Sequence, residues 1–309
     1  MNISSSQQAH GVLVLYEFRE LMNSCYNEIM NKLKIPKLLQ EIPDAPKRLY
    51  IAGEFPYQED TIFLTVIGSR KFTPYGKSVV EKIIGGLKGY PFVIISGLAL
   101  GIDAIAHRTA LKNNLTTIAV PGSGLDESVL YPASHRNLAR EIIQSGGCLI
   151  SELEPKTKAA PWTFPQRNRI MAGLAHAVIV IEAENKSGTR ITARLATEYN
   201  RDVFAVPGSI FSKSSEGCNE LIREGAIPLT SAKDILEHFG FTREQQKQEQ
   251  IPLSNEEEKI LEFLRSEAKS KSALARELDM PIFKLNTIIS SLEIKGLVDE
   301  SLGKVRIKN

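Results

Sequence analysis

The sequence predicts an α/β protein: a doubly wound, mostly parallel sheet of about six strands with helices on both faces, followed by a small helical domain. Three observations predict it. Short β-branched apolar runs recur about every 25 to 30 residues, the spacing a parallel strand pair needs for its crossover. The runs are continuously apolar rather than alternating, as in strands buried on both faces. Each run is followed by Gly, Ser, Pro or an acidic residue, and most then lead into a helix-compatible stretch.

Residues 1–59 are expected to form a helical segment and a linker. Apolar residues fall at near-helical spacing over 12–33, and Pro36, Pro43 and Pro46 end that pattern. The core is expected over 60–240. Its strands are IFLTVI (62–67), FVIIS (92–96), TTIAV (116–120), CLIS (148–151), AVIVIE (177–182) and VFAV (203–206). Residues 241–253 contain the polar tract TREQQKQEQ and read as a linker. In 254–309, Ser254 and Glu257 form a capping box ahead of KILEFL. Helices then fit 271–278 and the stretch from Pro281 to Gly296, and the terminal residues read as strand, turn, strand. That is the layout of a winged helix-turn-helix.

The chain has 309 residues, with 38 Lys+Arg against 36 Asp+Glu. A whole-chain polyelectrolyte mechanism is excluded, so any anion-binding surface must come from local clustering. Cys25, Cys148 and Cys218 are too far apart for a disulfide framework or a zinc site, which fits a reducing, cytoplasmic setting. No apolar run is long enough for a bilayer, and the N-terminus carries no signal-peptide pattern.

Ligands of an open α/β sheet bind beyond the carboxyl ends of its strands, so the loops there decide function. They carry Gly68-Ser69-Arg70-Lys71-Phe72-Thr73, the turn from Gly97 through Gly101 to Asp103, Pro121-Gly122-Ser123-Gly124, and Asn185-Lys186-Ser187-Gly188-Thr189 running on to Thr192. Glycine there lets backbone N–H groups converge on an anion, and the next helix N-terminus adds positive potential. The plainer reading is that strand-to-helix turns need glycine for their own geometry. Three segments, 65–77, 155–170 and 186–194, hold ten basic residues and no acid. They include Arg70, Lys71, Lys156, Lys158, Arg167, Arg169 and Lys186, and together they predict one basic crevice; the rival is three solvated loops that never meet. Phe72, Trp162 and Phe164 lie among them, and two readings stand for the last two: stacking on unpaired bases, or core packing.

Catalytic signals are weak. His107 follows Asp103 by four residues, and an orienting salt bridge is preferred to a general base. His135 and His176 have no partners at metal-ligand spacing. There is no GxSxG elbow and no GxxxxGK[ST] loop. GLALG lacks dinucleotide-fingerprint spacing, so no cofactor is expected.

Taken together, VIGSRKFTPYG (66–76), IISGLALGIDAIAH (94–107), FPQRNRIMAGLAHAVIVIEA (164–183), SGTRITARLATEYNRDVFAVPG (187–208) and NELIREGA (219–226) resemble the DNA-processing protein A (DprA/Smf) family. The resemblance implies an extended Rossmann-like core acting as a homodimer. It implies a single-stranded DNA-binding recombination mediator that protects incoming strands in natural transformation and helps load the RecA recombinase. By motif, Ser69 and Arg70 would contact phosphate, and Gly97 to Asp103 would shape the groove wall. Arg167, Asn168 and Arg169 would bind DNA or brace the loops, and Lys186, Ser187, Gly188 and Thr189 would form a backbone cradle. Over 254–309 ten Lys+Arg meet ten Asp+Glu, so a DNA-reading basic stripe is not evident there.

Two other classes stay in view. Phosphoribohydrolases of the same superfamily carry PGGxGTxxE, whose Glu does the chemistry. Here the position three past Thr189 is Thr192, and a hydroxyl is no base at neutral pH. A nucleotide sensor, with the small domain reporting occupancy of the crevice, is the third.

Overall fold

The computed structural model describes residues 31–185, 187–241, 254–264, 269–295, 297–301 and 303–307. The chain divides into two compact units, Met1–Thr242 and Arg243–Asn309. In chain order the first holds β1 (Asn31–Leu33), α1 (Lys37–Gln40), β2 (Leu49–Gly53), β3 (Ile62–Ile67), α2 (Pro74–Gly85), β4 (Phe92–Ser96), α3 (Ile102–Lys112) and β5 (Thr117–Ala119). It continues with α4 (Arg136–Gln144), β6 (Cys148–Ser151), α5 (Thr163–Leu174), β7 (Ala177–Val180), α6 (Gly188–Glu198), β8 (Asp202–Ala205), α7 (Lys213–Arg223), β9 (Ile227–Pro228) and α8 (Ala232–His238).

One sheet runs β1-β2-β6-β5-β4-β3-β7-β8-β9. From β3 the chain winds outward through β4, β5 and β6, then returns to β7 on the other side of β3 and winds the opposite way. All pairs from β6 to β9 are parallel. The switch point is therefore the β3–β7 pair, where Ile67 sits beside Val180 at the carboxyl ends. The pleat sends alternate residues of these strands to opposite cores. Phe63, Ile67, Val178 and Val180 pack under α5 and α6, while Leu64, Val66, Ile179 and Phe204 pack under α2, α3 and α8. Burial on both faces is why the strands read as unbroken apolar runs.

The sheet is wider than the sequence predicts. The six expected strands are β3 to β8. Two antiparallel strands, β1 and β2, extend one edge, with Tyr50 opposite Ser151 of β6, and β9 extends the other. An antiparallel strand needs no helical crossover, so β2 falls outside the βα rhythm; β9 has two residues, one of them a proline, which an edge tolerates. The expected N-terminal helix at 12–33 lies mostly outside the described residues, and its last three positions are β1 instead.

His107 does not pair with Asp103. It is fully buried in α3, and its Nδ1 lies 2.7 Å from Thr117 Oγ1 of β5. Burial, then the charges of His135 and Arg167, push its pKa down to about 3, so the ring is neutral. Asp103 turns the other way and accepts from the Gly97 N–H at 3.2 Å.

The second unit holds α9 (Asn255–Leu264), α10 (Lys271–Glu277), α11 (Ile282–Ile294) and the hairpin β10 (Val298–Ser301) to β11 (Lys304–Ile307). Its core is Ile260, Leu264, Leu274, Leu285, Ile289, Leu292, Val298 and Val305. The capping box is present: Ser254 N–H donates to Glu257 Oε2 at 2.8 Å, and Glu257 N–H to Ser254 Oγ at 3.2 Å. The Lys295 ammonium, 2.7 Å from both oxygens of Glu257, and these capping bonds hold that carboxyl down at about 2. The unit's surface cations are largely engaged: Lys271 with Glu300, Lys269 with Glu277, Lys284 with Glu256, and Arg306 with Asp299.

The folded value of His107 lies below its ordinary 6.5, so its stabilising contribution is complete above that pH and is lost as pH falls toward 3. Urea unfolding should show a loss of about 2 kcal/mol between roughly pH 6.5 and 5, at about 1.4 kcal/mol per unit. His107→Asn should flatten that limb.

Candidate nucleic-acid interface

The loop after β3 is held by its own turns. Ser69 Oγ accepts from Lys71 N–H at 3.1 Å and donates to Lys71 O at 2.9 Å. Thr73 caps α2 by accepting from Gly76 N–H, and its N–H and hydroxyl both donate to the buried carboxylate of Glu182, at 3.0 and 2.5 Å. The end of β7 thus pins the start of α2, and Ser69 spends its hydroxyl on the loop itself.

The loop after β4 is pressed against the first. Gly101 has φ +82°, and a Cβ there would lie 2.3 Å from Ser69 O. Leu98 also takes a left-handed conformation, φ +56°, a cost of about 1 kcal/mol or more. Its carbonyl accepts from His135 Nδ1 at 2.8 Å, which fixes the ring proton on that nitrogen.

Arg167, on α5, is buried beneath these turns. Its Nη1 donates to Gly97 O at 2.6 Å and to Val120 O at 2.7 Å, tying the ends of β4 and β5 together. A Cβ on Gly97 would lie 1.7 Å from Nη1, so only glycine admits the guanidinium. Burial drives the Arg167 pKa down, the Asp103 charge opposes this, and the nearby Arg70 charge adds to it. Asp103 is raised by burial and lowered by Arg167. Geometry favours the charged pair, because Arg167 saturates two carbonyls and Asp103 accepts a backbone N–H.

The loop after β7 supplies the other wall. Helix α6 has no acid in its first turn, and Gly188 at its start faces open space. Ser187 Oγ is buried and has no hydrogen-bond partner among the described residues. The backbone there presents donors and a helix dipole to any anion that enters.

These walls enclose a cleft of about 300 Å³ at the β3–β7 switch point. Of the residues singled out in the sequence, Gly68, Ser69, Arg70, Asp103, Arg167, Asn168, Ser187, Gly188, Thr189 and Thr192 line it. Ala99 and Met171, inside the segments 94–107 and 164–183, and Glu184, outside them, line it too; none of them is assigned a role of its own from sequence, because an alanine, a methionine and a lone acid carry no chemical signal. Arg70 stands exposed at the lip with its guanidinium 5.1 Å from the centre of the Phe164 ring, which packs edge-on to Tyr131 at 5.8 Å. Tyr131 was also missed, in a long loop without periodicity.

Other expected residues lie elsewhere. Arg169 is bound to Glu152, with Asp44 3.4 Å away, and acts as a brace rather than a ligand contact. Arg190 pairs with Glu224 at 2.6 Å and Arg194 with Glu198 at 2.8 Å. The ten-cation crevice is therefore smaller than charge counting predicts, because segments free of acid in sequence meet acids in space. Lys71, Phe72, Lys156 and Lys158 are exposed outside the cleft, and Gly97 and Gly101 shape it from behind. Trp162 is 58% exposed, which rejects core packing for it. Lys186 lies outside the described residues.

The family model described as DNA recombination-mediator protein A matches residues 28–240. The chain belongs to the DNA recombination-mediator protein A family. DNA processing protein DprA of Streptococcus pneumoniae is 43% identical over 226 residues, 72% of this chain and 73% of that one. Protein Smf of Escherichia coli is 40% identical over 206 residues, 67% of this chain and 54% of that one. The chain spans about half the length of the Smf proteins of Escherichia coli and Synechocystis. The X-ray structure of the Streptococcus pneumoniae protein superposes with a TM-score of 0.62, at 41% identity over 71% of this chain and 77% of that one. DNA processing protein A of Helicobacter pylori, whose structure is described for its single-stranded DNA binding mode, gives 0.61 at 32% identity, covering 67% of this chain and 94% of that one. These matches establish the recombination-mediator family and the Rossmann-like fold.

Arg167→Met should cost about 3 kcal/mol in chemical denaturation, since it strands two carbonyls and the Asp103 carboxylate. Adding Asp103→Asn should recover part of that loss in a double-mutant cycle.

Proposed function

We propose that the protein binds single-stranded DNA through the switch-point cleft and acts as a recombination mediator without catalysis. The observation that carries the reading is the convergence of Arg70, the α6 N-terminus and the unpartnered Ser187 hydroxyl on one cleft. The Helicobacter pylori relative supports it through its described mode of binding single-stranded DNA. A phosphate entering the cleft meets backbone donors and the Arg70 charge, which gives sequence-tolerant, salt-sensitive binding. The rings of Phe164 and Tyr131 beside Arg70 offer faces to unpaired bases. Thr192, buried where an acid would serve a phosphoribohydrolase, supports the non-enzymatic reading.

The finer assignments belong to the same proposal. They are protection of incoming strands in natural transformation, loading of the RecA recombinase, homodimerisation and a cytoplasmic setting. Among the described residues no helix is long and apolar enough to cross a membrane. We assign 60–240 to the DNA-binding core, with β1 and β2 of the preceding segment 1–59 completing its sheet, 241–253 to a linker and 254–309 to a winged helix-turn-helix. With its cations largely ion-paired, the last of these is better suited to protein contacts than to reading a duplex.

In a gel-shift titration with oligo-dT, Arg70→Ala should weaken binding about tenfold and shallow the log K against log salt slope by about 0.7. Unchanged affinity and slope would overturn the placement of the groove. Duplex DNA of equal length should bind more weakly at both of two salt concentrations. Nucleoside monophosphates should release no free base.

A further inference from the structure

A second groove opens on the other side of the Ser69–Phe72 loop, between α2 and α3, with a volume of about 590 Å³. Gly68, Ser69 and Arg70 face the cleft, whereas Phe72, two residues on, lines the groove. The turn after β4 divides in the same way: Ala99 faces the cleft, Leu100 and Gly101 the groove. The two spaces are thus neighbours across one ridge, built by the contact of Gly101 with Ser69.

The groove's chemistry is that of a strand track. At its mouth stand two exposed apolar side chains, Phe72 at 44% and Leu100 at 49%. Along the α3 wall, Ala104, Arg108 and Lys112 fall on one face at four-residue spacing. On the α2 wall are Lys77 and Glu81, 3.9 Å apart. Arg108 and Lys112 are exposed, and among the described residues neither forms an ion pair. Among the described residues Glu81 is the only carboxylate lining the groove, so its walls carry three cations, Lys77, Arg108 and Lys112, to one anion. Cations along α3 beside an aromatic face suit phosphates on one side and an unstacked base on the other.

We propose that this groove is a second segment of the DNA path, taking the strand as it leaves the cleft over the Arg70–Phe72 ridge. Phe72 stacks on a base at the crossing, while Arg108 and Lys112 hold the phosphates that follow. The proposal rests on the single-stranded DNA reading of the cleft and extends it by Leu100, in the turn after β4, and by Arg108 and Lys112, which no motif marked. Strands too short to cross the ridge gain nothing from the groove, so its signature is a length dependence.

The test is a ladder of oligo-dT from about 5 to about 25 nucleotides, titrated by fluorescence anisotropy at several salt concentrations. The wild type is compared with Arg108→Ala/Lys112→Ala, with Phe72→Ala, and with Lys213→Ala/Lys233→Ala as an equal loss of charge off the groove. The groove double variant should bind the shortest oligomers like the wild type. It should lose about tenfold on the longest, with a salt slope shallower by about 1.4 there. Phe72→Ala should lose about tenfold on the longer strands with its slope unchanged. Wild-type length dependence in the groove double variant would overturn the proposal and leave the groove to an acidic protein. An equal loss in the off-groove control would overturn it as a net-charge effect. If the wild type binds no oligomer of any length, the cleft reading itself falls, and this proposal with it.

Discussion

The guanidinium of Arg167 is the constraint from which the crevice is built. Taking an arginine out of water costs several kcal/mol unless its donors and charge are met. Here two carbonyls at strand ends, Gly97 O and Val120 O, accept from one nitrogen, and the Asp103 carboxylate lies close by. The arrangement demands a glycine at position 97, because a methyl group would occupy the guanidinium's place. It also fixes where the turn after β4 runs, and that turn supports the Ser69 loop through Gly101. Arg70 owes its position at the lip to this chain of contacts, so a buried charge decides where an exposed one stands.

Glu182 plays the matching part on the other wall. A carboxylate two residues past the end of β7, 1% exposed, receives the N–H and hydroxyl of Thr73, the N-cap of α2. The α2 dipole favours the negative charge there. Both walls of the cleft are therefore fastened by buried ionic groups that bond to backbone, while Arg70 at the lip forms no ion pair among the described residues. Preorganisation of this kind lets a ligand's phosphates be met without reordering the loops.

The parallel part of the sheet was legible because burial on both faces writes itself into sequence as unbroken apolar runs. The capping box at Ser254 and Glu257 was legible because its two bonds join residues three apart. The edge strands were not: β2 pairs antiparallel with a strand about a hundred residues away, and such pairing leaves no local period. Within the site, the loops were found by their glycines and cations, but their roles were not. Arg167 and Arg169 stand two apart in one motif whose resemblance left them either to bind DNA or to brace the loops, and only Gly97, Val120, Glu152 and Asp44 beside them decide for the brace. Charge counting along the chain overstated the crevice for the same reason. Arg190 meets Glu224 only in space, whereas the partner of Arg194 is Glu198, one helical turn on and just past the end of the counted segment.

What remains free after these pairings has a direction. Arg70 lies between the cleft and the Phe164–Tyr131 rings, and Phe72 stands on the far side of the same loop. Cations and aromatic faces are thus interleaved across one ridge. A duplex presents phosphates to such a surface but keeps its base faces stacked inside, so the rings would contribute nothing to its binding. A single strand uses both, since its backbone can follow the cations while its bases turn onto the rings. On the proposed reading, preference for single strands then needs no base-specific hydrogen bond. It follows from charge and ring standing side by side on the loop from Ser69 to Thr73, and a rearrangement that separated them would weaken that preference while leaving the net charge unchanged.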